Sequence, residues 1–265
     1  MTEHMEFAIS MAKDAGVLLK DGFRKEHLID FKGEIDIVTE ADRMSEKILT
    51  EAITRNFPDH SILSEESPEI CRGSKYRWII DPLDGTTNYA HGFPVFCVSI
   101  ALEKNGEIIT GVIYNPVSDE LFAARRGGGA FLNGSSISVS GTTVLSESLL
   151  ATGFPYDIRR NPNNNINYFS GMLLEAQAIR RAGSAALDLA YTAAGRFDGF
   201  WELGLHPWDT AAGWLLVCEA GGTVTDINGN SYCFDSPGIL ASNGRIHKNM
   251  ISVLNNISPT DRRFL

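Results

Sequence analysis

Apolar residues recur at helical spacing near the start of the chain. They predict an amphipathic helix from Met5 to about Phe23, with Met5, Ile9, Ala12 and Leu19 on one face, and a second from Arg43 to about Asn56. The pattern then shortens to β-like runs at Ser61 to Leu63, Tyr76 to Ile80 and Phe96 to Leu102. The last of these leads through Asn105-Gly106, a hairpin pair, into Glu107 to Tyr114. Leu121 to Ala124 and Ser136 to Val139 predict shorter strands around Gly127-Gly128-Gly129, whose composition suits a turn better than a phosphate loop. From about Gly141 strands alternate with helices. An Ala-rich helix runs from Ser184 to Ala194, a strand from Phe197 to Glu202, and a helix opens at Pro207 and stops before Gly221-Gly222. Asn161 to Asn165 reads as the most loop-like polar stretch. The expectation is a mixed α+β and α/β chain with an N-terminal half over residues 1–141 and a C-terminal half over 142–265. No repeat, low-complexity tract or linker divides the halves, so they are expected to pack as one body.

Carboxylates are grouped beside these elements in four places: Asp36 to Asp42, Glu65-Glu66, Asp81 to Thr87, and His206-Pro207-Trp208-Asp209. Open α/β structures place sites at such strand ends and helix starts. Singly, each group has a plain explanation as a solvated loop, a turn, a strand ended by proline or a first-turn acid. The run from Tyr76 to Tyr89 is harder to explain away. Its strand delivers Asp81 to the carboxyl end, and Pro82 and Gly85 are expected to force a tight turn that returns Asp84 toward Asp81 and exposes the Leu83 carbonyl. Three hard oxygen donors are the ligand type magnesium requires. If Thr86 and Thr87 open a helix, their amides and that of Gly85 form an anion site beside the metals.

Composition narrows the chemistry. The 265 residues are 43% hydrophobic and 21% charged, an ordinary globular balance with ample core. With 23 basic and 33 acidic residues the formal charge is -10, which opposes general nucleic-acid binding. An anionic substrate remains compatible if metal ions bring the positive charge. The start, Met1-Thr2-Glu3-His4-Met5-Glu6, lacks the basic flank and apolar core of an export leader, and no stretch reaches the roughly 18 apolar residues of a membrane span. A cytoplasmic protein is expected. Cys71, Cys97, Cys218 and Cys233 form no CxxC pair, so disulfide and zinc readings are weak.

At the acidic segments the sequence resembles the inositol monophosphatase family. Asp81-Pro82-Leu83-Asp84-Gly85-Thr86-Thr87-Asn88 matches its first signature. Pro207-Trp208-Asp209-Thr210-Ala211-Ala212-Gly213, continuing to Glu219-Ala220-Gly221-Gly222, matches its second. Asp36 to Asp42, Ser64-Glu65-Glu66-Ser67 and Gly183 to Leu189 also fit, so the resemblance spans nearly the whole chain. It implies a layered α-β-α-β-α sandwich of the sugar phosphatase type, usually a homodimer. It also implies a magnesium-dependent, lithium-sensitive phosphomonoesterase that releases phosphate from myo-inositol monophosphates with two to three ions per subunit.

The resemblance assigns roles as well. Glu65, Asp81 and the Leu83 carbonyl would hold one ion, Asp81, Asp84 and Asp209 a second, and a weaker third would sit near Glu65. Asp42 and Thr86 would position and deprotonate water, supported by Glu66 and Thr39. The Gly85 and Thr86 amides would hold phosphate, with Glu65, Leu83, Asp84 and Asp209 lining that end of the substrate. Glu202 and Gly183-Ser184-Ala185 would meet ring hydroxyls. Ser64 departs from the glycine usual before the paired glutamates. Lys32 and Arg181 are open candidates for phosphate or substrate contact, and His206 for orienting Asp209. The rival readings are a fructose-1,6-bisphosphatase or another sugar or nucleotide phosphatase on the same scaffold, and a regulatory protein-binding role. The intact ligand set argues against loss of catalysis.

Overall fold

The structure, a computed structural model, describes residues 3–25, 29–31 and 37–257. The chain begins with α1 (Glu3–Gly22), a short antiparallel pair β1 (Ile29–Phe31) and β2 (Ile37–Thr39), and α2 (Glu40–Asn56). A seven-stranded sheet follows: β3 (Ser61–Ser64), β4 (Tyr76–Asp84), β5 (Cys97–Lys104), β6 (Glu107–Asn115), β7 (Glu120–Arg125), β8 (Gly129–Leu132) and β9 (Ser135–Ser136), in sequence order, with α3 (Thr86–Ala90) between β4 and β5. The β3–β4 pair is parallel and all other neighbours are antiparallel.

The second sheet is built from β10 (Leu149–Thr152), β11 (Ala178–Arg180), β12 (Gly199–Leu203), β13 (Thr223–Asp226) and β14 (Gly238–Ser242), in the order β11-β10-β12-β14-β13. Its helices are α4 (Ile166–Glu175), α5 (Ala185–Ala193), α6 (Pro207–Glu219) and α7 (His247–Asn255).

Alternation along the strands separates three cores. Trp78 and Ile80 on β4, and Val98, Ile100 and Leu102 on β5, face α1 and α2. Ile79, Cys97 and Ala101 face the other way, into a core shared with α5, α6, Phe200 of β12 and Ile239 and Ala241 of β14. Leu150, Trp201 and Leu240 point out of the second sheet toward α4 and α7. The layers therefore run α-β-α-β-α, as expected. Strands buried on both faces read as near-continuous apolar runs, which is why β4 and β5 stand out in the sequence.

Two expectations need correcting. The strand expected to end at Ile80, with a tight turn after Asp81, continues through Asp84, and the ladder with β5 shifts register between Asp81 and Asp84. Pro82 sits within that irregularity, where its missing N–H is tolerated. The strand expected over 136–139 is reduced to Ser135–Ser136, and β8 carries most of the pairing instead. The polar stretch 161–165 is a loop, as expected, and leads directly into α4, whose first turn carries no acid or proline to announce it. In addition, α2 begins three residues before Arg43, because Thr39 caps it: the Thr39 N–H donates to Asp42 Oδ2 at 2.8 Å.

Candidate active site

The register shift in β4 is the centre of the site. It swings Asp81 and Asp84 to the same side, and the Leu83 N–H donates to Asp81 Oδ1 at 3.0 Å. Gly85 follows in the left-handed region at φ 93, where a Cβ would lie 2.9 Å from the Val95 carbonyl, so the tight passage into α3 requires glycine. The Pro82 carbonyl is held from behind by the Ser45 hydroxyl of α2 at 2.7 Å. Across the cavity, Pro207 opens α6 and places Asp209 in its first turn, where the His206 backbone N–H donates to Asp209 Oδ2 at 2.6 Å. His206 thus orients Asp209 through its amide, while its ring stacks on Trp208.

These elements bring carboxylate oxygens of Asp81, Asp84 and Asp209 within 4.8 Å of one another. Glu65 lines the same cavity of about 230 Å³ but stands outside that three-acid ring. Burial, then the charges of Glu65, Asp84 and Asp209, push the Asp81 carboxyl well above its usual range. Asp209 is raised well above its usual value by burial and then by Asp84 and Glu65. Asp84 is also raised by burial, against the pull of donors that favour its anion. Those donors are the Ser184 hydroxyl at 2.5 Å and the Ala186 N–H at 2.9 Å, both to Oδ2. A set of hard, mutually repelling oxygens fits a divalent cation such as magnesium and fits soft metals poorly. Among the described residues lining this cavity the only Lys or Arg is Arg181, so bound cations are the natural source of charge for an anionic substrate.

Beside the ring lies a hydrogen-bonded chain. The Thr86 hydroxyl is 2.9 Å from Asp42 Oδ1 and 3.1 Å from the Leu83 carbonyl, and it can donate to one at a time. Asp42, fully buried at the start of α2, also accepts from the Thr39 hydroxyl at 2.6 Å. Thr39, Asp42 and Thr86 therefore form one unit although 47 positions separate the first from the last. Glu66 sits on the loop after β3 and does not line the cavity, although it is not without contacts. Lys32 and Asp36 lie outside the described residues.

The opposite wall is made by α5 and β12. Gly183, Ser184 and Ala185 line it, but the Ser184 hydroxyl is committed to Asp84 and also caps α5, so that residue braces an acid of the ring. Asn88 ties the loop before α5 to α3 by donating to the Ala182 carbonyl at 2.8 Å and the Val95 carbonyl at 2.7 Å. Glu202 is buried on this wall. A Cβ on Gly153 would lie 2.1 Å from its carboxylate, so Gly153 makes the room it occupies. Burial is the main cause that raises Glu202 to about 8, with Asp84 adding and Arg181 opposing.

Two residues went unassigned or undecided in the sequence reading. Asp188 of α5 is buried against the cavity with Oδ1 unpartnered, and burial followed by Glu202 holds its carboxyl well above the usual range. An acid on the apolar face of an Ala-rich helix was the signal for it. Arg181, left open above, stands on the cavity wall beside Gly183.

A family model described as the inositol monophosphatase family matches residues 1–258. The inositol-1-monophosphatase of Rhizobium meliloti is 45% identical over 234 residues, covering 88% of each chain. The Nus factor SuhB of Pseudomonas aeruginosa is 42% identical over 261 residues, covering 96% of each. Among solved structures, the extragenic suppressor protein suhB of Bartonella henselae superimposes with a TM-score of 0.91 at 44% identity, covering 96% of this chain and 98% of that one.

Proposed function

The chain belongs to the inositol monophosphatase family, and from that premise we propose that it is a magnesium-dependent phosphomonoesterase that converts myo-inositol monophosphates to inositol and inorganic phosphate. The observation that carries this reading is the convergence of Asp81, Asp84 and Asp209 beside the Asp42–Thr86 hydrogen bond. Relatives named inositol-1-monophosphatase at 44 and 45% identity support the enzyme class and the inositol ester.

Asp81, Asp84, Asp209, Glu65 and the Leu83 carbonyl would hold two to three magnesium ions, whose charge neutralises the phosphate and makes water a competent nucleophile at neutral pH. The Gly85 and Thr86 amides bind phosphate oxygens. With its proton directed to Asp42, the Thr86 oxygen turns a lone pair to the cavity and accepts a hydrogen bond from water, fixing that water for in-line attack. The water oxygen bonds to phosphorus as the ester P–O bond breaks. Its proton passes toward the Thr86–Asp42 pair, and the departing alkoxide takes a proton from a solvent water to become the alcohol. Thr39 keeps Asp42 in place with two hydrogen bonds. Glu66 supports the neighbouring loop, and Glu202 with Gly183 and Ala185 receives ring hydroxyls. No covalent enzyme intermediate is required. Lithium inhibition, a homodimeric assembly and a cytoplasmic setting complete the proposal as the family resemblance implies them.

Phosphate release from inositol 1-phosphate and fructose 1,6-bisphosphate, with and without Mg²⁺, tests it. Magnesium-dependent turnover favouring the inositol ester is expected. A tenfold or greater preference for the bisphosphate overturns the substrate assignment, and the absence of turnover on both overturns the reaction. The relatives named Nus factor SuhB leave a protein-binding role as the second reading.

A further inference from the structure

A second cavity, of about 370 Å³, adjoins the first and shares Pro155, Leu203 and Gly204 with it. It borders Leu203 and Gly204, which directly follow Glu202, the residue proposed above to meet the hydroxyls of the alcohol. We propose that it is a subsite for an uncharged sugar ring attached to the phosphorylated polyol, so that the enzyme accepts glycosylated inositol phosphates. The inference rests on the phosphomonoesterase reading of the adjoining site.

The lining selects for this chemistry. Tyr168 is 8% exposed and lines the cavity, its hydroxyl makes no hydrogen bond among the described residues, and burial alone raises its pKa. That oxygen is open to the cavity, so a ligand can donate to it or accept from it. Asn161, Asn163 and Asn228 add side-chain amides, which offer donors and acceptors together. Asn163 is exposed and has no side-chain partner among the described residues, whereas the Asn161 amide is held by Asp157 at 3.0 Å. Polar groups of both kinds on a partly apolar floor of Leu203, Ile227 and Pro237 match the hydroxyls and C–H faces of a pyranose.

Two alternatives fit less well. Among the described residues no Lys, Arg or His lines the cavity, and the carboxylates of Asp157 and Asp226 tether its Asn161 and Asn228, so a second phosphate would meet negative charge and no counter-ion there. A nucleobase needs an open aromatic face for stacking, and the one aromatic residue here, Tyr168, is nearly buried.

The subsite also has a rigid support. Asn165, at φ 72 just before α4, donates to the Gly153 carbonyl at 2.5 Å and to the Thr152 hydroxyl at 2.8 Å, and accepts from the Trp201 indole at 2.8 Å. The loop that carries Asn161 and Asn163 is thereby pinned to the end of β10, just before Gly153, and to β12, which carries Glu202.

The test compares a glucosyl-inositol 1-phosphate with inositol 1-phosphate, using wild type, Tyr168→Phe and Asn163→Ala in Mg²⁺. Tyr168→Phe keeps the packing of the ring and removes only the oxygen. Wild type is expected to turn over the glycosylated ester with kcat/KM at least equal to that of the simple ester. Each variant is expected to raise KM for the glycosylated ester roughly three- to tenfold, as loss of one neutral hydrogen bond does, with kcat and the simple ester unchanged. The subsite is rejected if only the simple ester is hydrolysed, or if both esters suffer equally in the variants. It is also rejected if adenosine 2′-monophosphate or fructose 1,6-bisphosphate is the substrate that responds to Tyr168→Phe. If neither ester is hydrolysed, the phosphatase reading falls, and calorimetric binding of uncharged glucosyl-inositol decides the subsite: binding weakened by Tyr168→Phe supports it, and no binding to wild type rejects it.

Discussion

The two ends of the active-site cavity are built in opposite ways. At the acidic end almost every functional oxygen is held by the protein: Asp84 by Ser184 and Ala186, Asp42 by Thr39 and Thr86, and Asp209 by the His206 amide. At the other end Asp188 Oδ1 has no partner, and Glu202 is buried with its pKa raised to about 8. A group that must be in one place during bond breaking is preorganised by its neighbours, whereas a group that recognises a ligand can leave its hydrogen-bonding capacity for the ligand to complete. On the proposed reading, the first end sets the reaction, and the second sets which alcohol is carried into it.

The comparison can be broken most severely at the acidic end. Asp84→Asn keeps the volume and an acceptor for Ser184 but removes a charge from the ring. We expect magnesium-dependent phosphate release to fall about a thousandfold or more, in line with several kcal/mol of transition-state stabilisation by bound metal, with an unchanged circular dichroism spectrum. Unaltered turnover would remove the proposed metal site. Thr86→Val, nearly isosteric, is expected to lower kcat by about a hundredfold or more with little change in KM, the scale of general acid–base assistance. A change confined to KM would show that Thr86 binds substrate rather than water.

Ser184→Ala tests the bracing of Asp84. Loss of such an outer partner typically weakens metal binding about 10- to 100-fold, so the Mg²⁺ concentration for half-maximal activity should rise by that order while activity at saturating Mg²⁺ largely recovers. A failure to recover would place Ser184 on the substrate.

The smallest effect joins the two ends through pH. In EDTA, Asp81, Asp188, Asp209 and Glu202 have folded pKa values above their unfolded ones. The folded protein then holds protons that the unfolded chain releases, so stability is full below the unfolded carboxylate range and is lost as pH rises toward about 8, the value for Glu202. The thermal midpoint should fall between pH 5 and 8.5, Mg²⁺ should restore it most at the higher pH, and Glu202→Gln should reduce the slope. A midpoint that rises over this interval in EDTA would contradict the burial of these acids.

Legibility in the sequence follows the same division. The acidic end was readable because its parts are local: Asp81, Leu83, Asp84, Gly85 and Thr86 fall within one short run, and each residue type has a chemical reason to be there. The buried strands β4 and β5 were readable from their apolar runs. The ladder irregularity at Pro82 was mistaken for a turn, because a proline in an apolar run marks an interruption without saying whether pairing resumes. The bond from Ser184 to Asp84 was not legible, since the two lie 100 positions apart. The alcohol end was least legible. Tyr168, Asn163 and Leu203 meet only after α4 has packed against the second sheet, and none carries a local pattern of its own.

The Asp84 carboxylate belongs to a strand of one sheet and accepts its hydrogen bonds from the start of a helix that follows strands of the other. The proposed metal ligand is thus also a latch, and the fastener and the tool are a single group. Slight parting of the two layers would misplace that oxygen before either layer lost its own hydrogen-bonded ladder. Turnover should consequently vanish at lower urea concentration than far-ultraviolet ellipticity, making enzymatic rate the most sensitive strain gauge this protein carries.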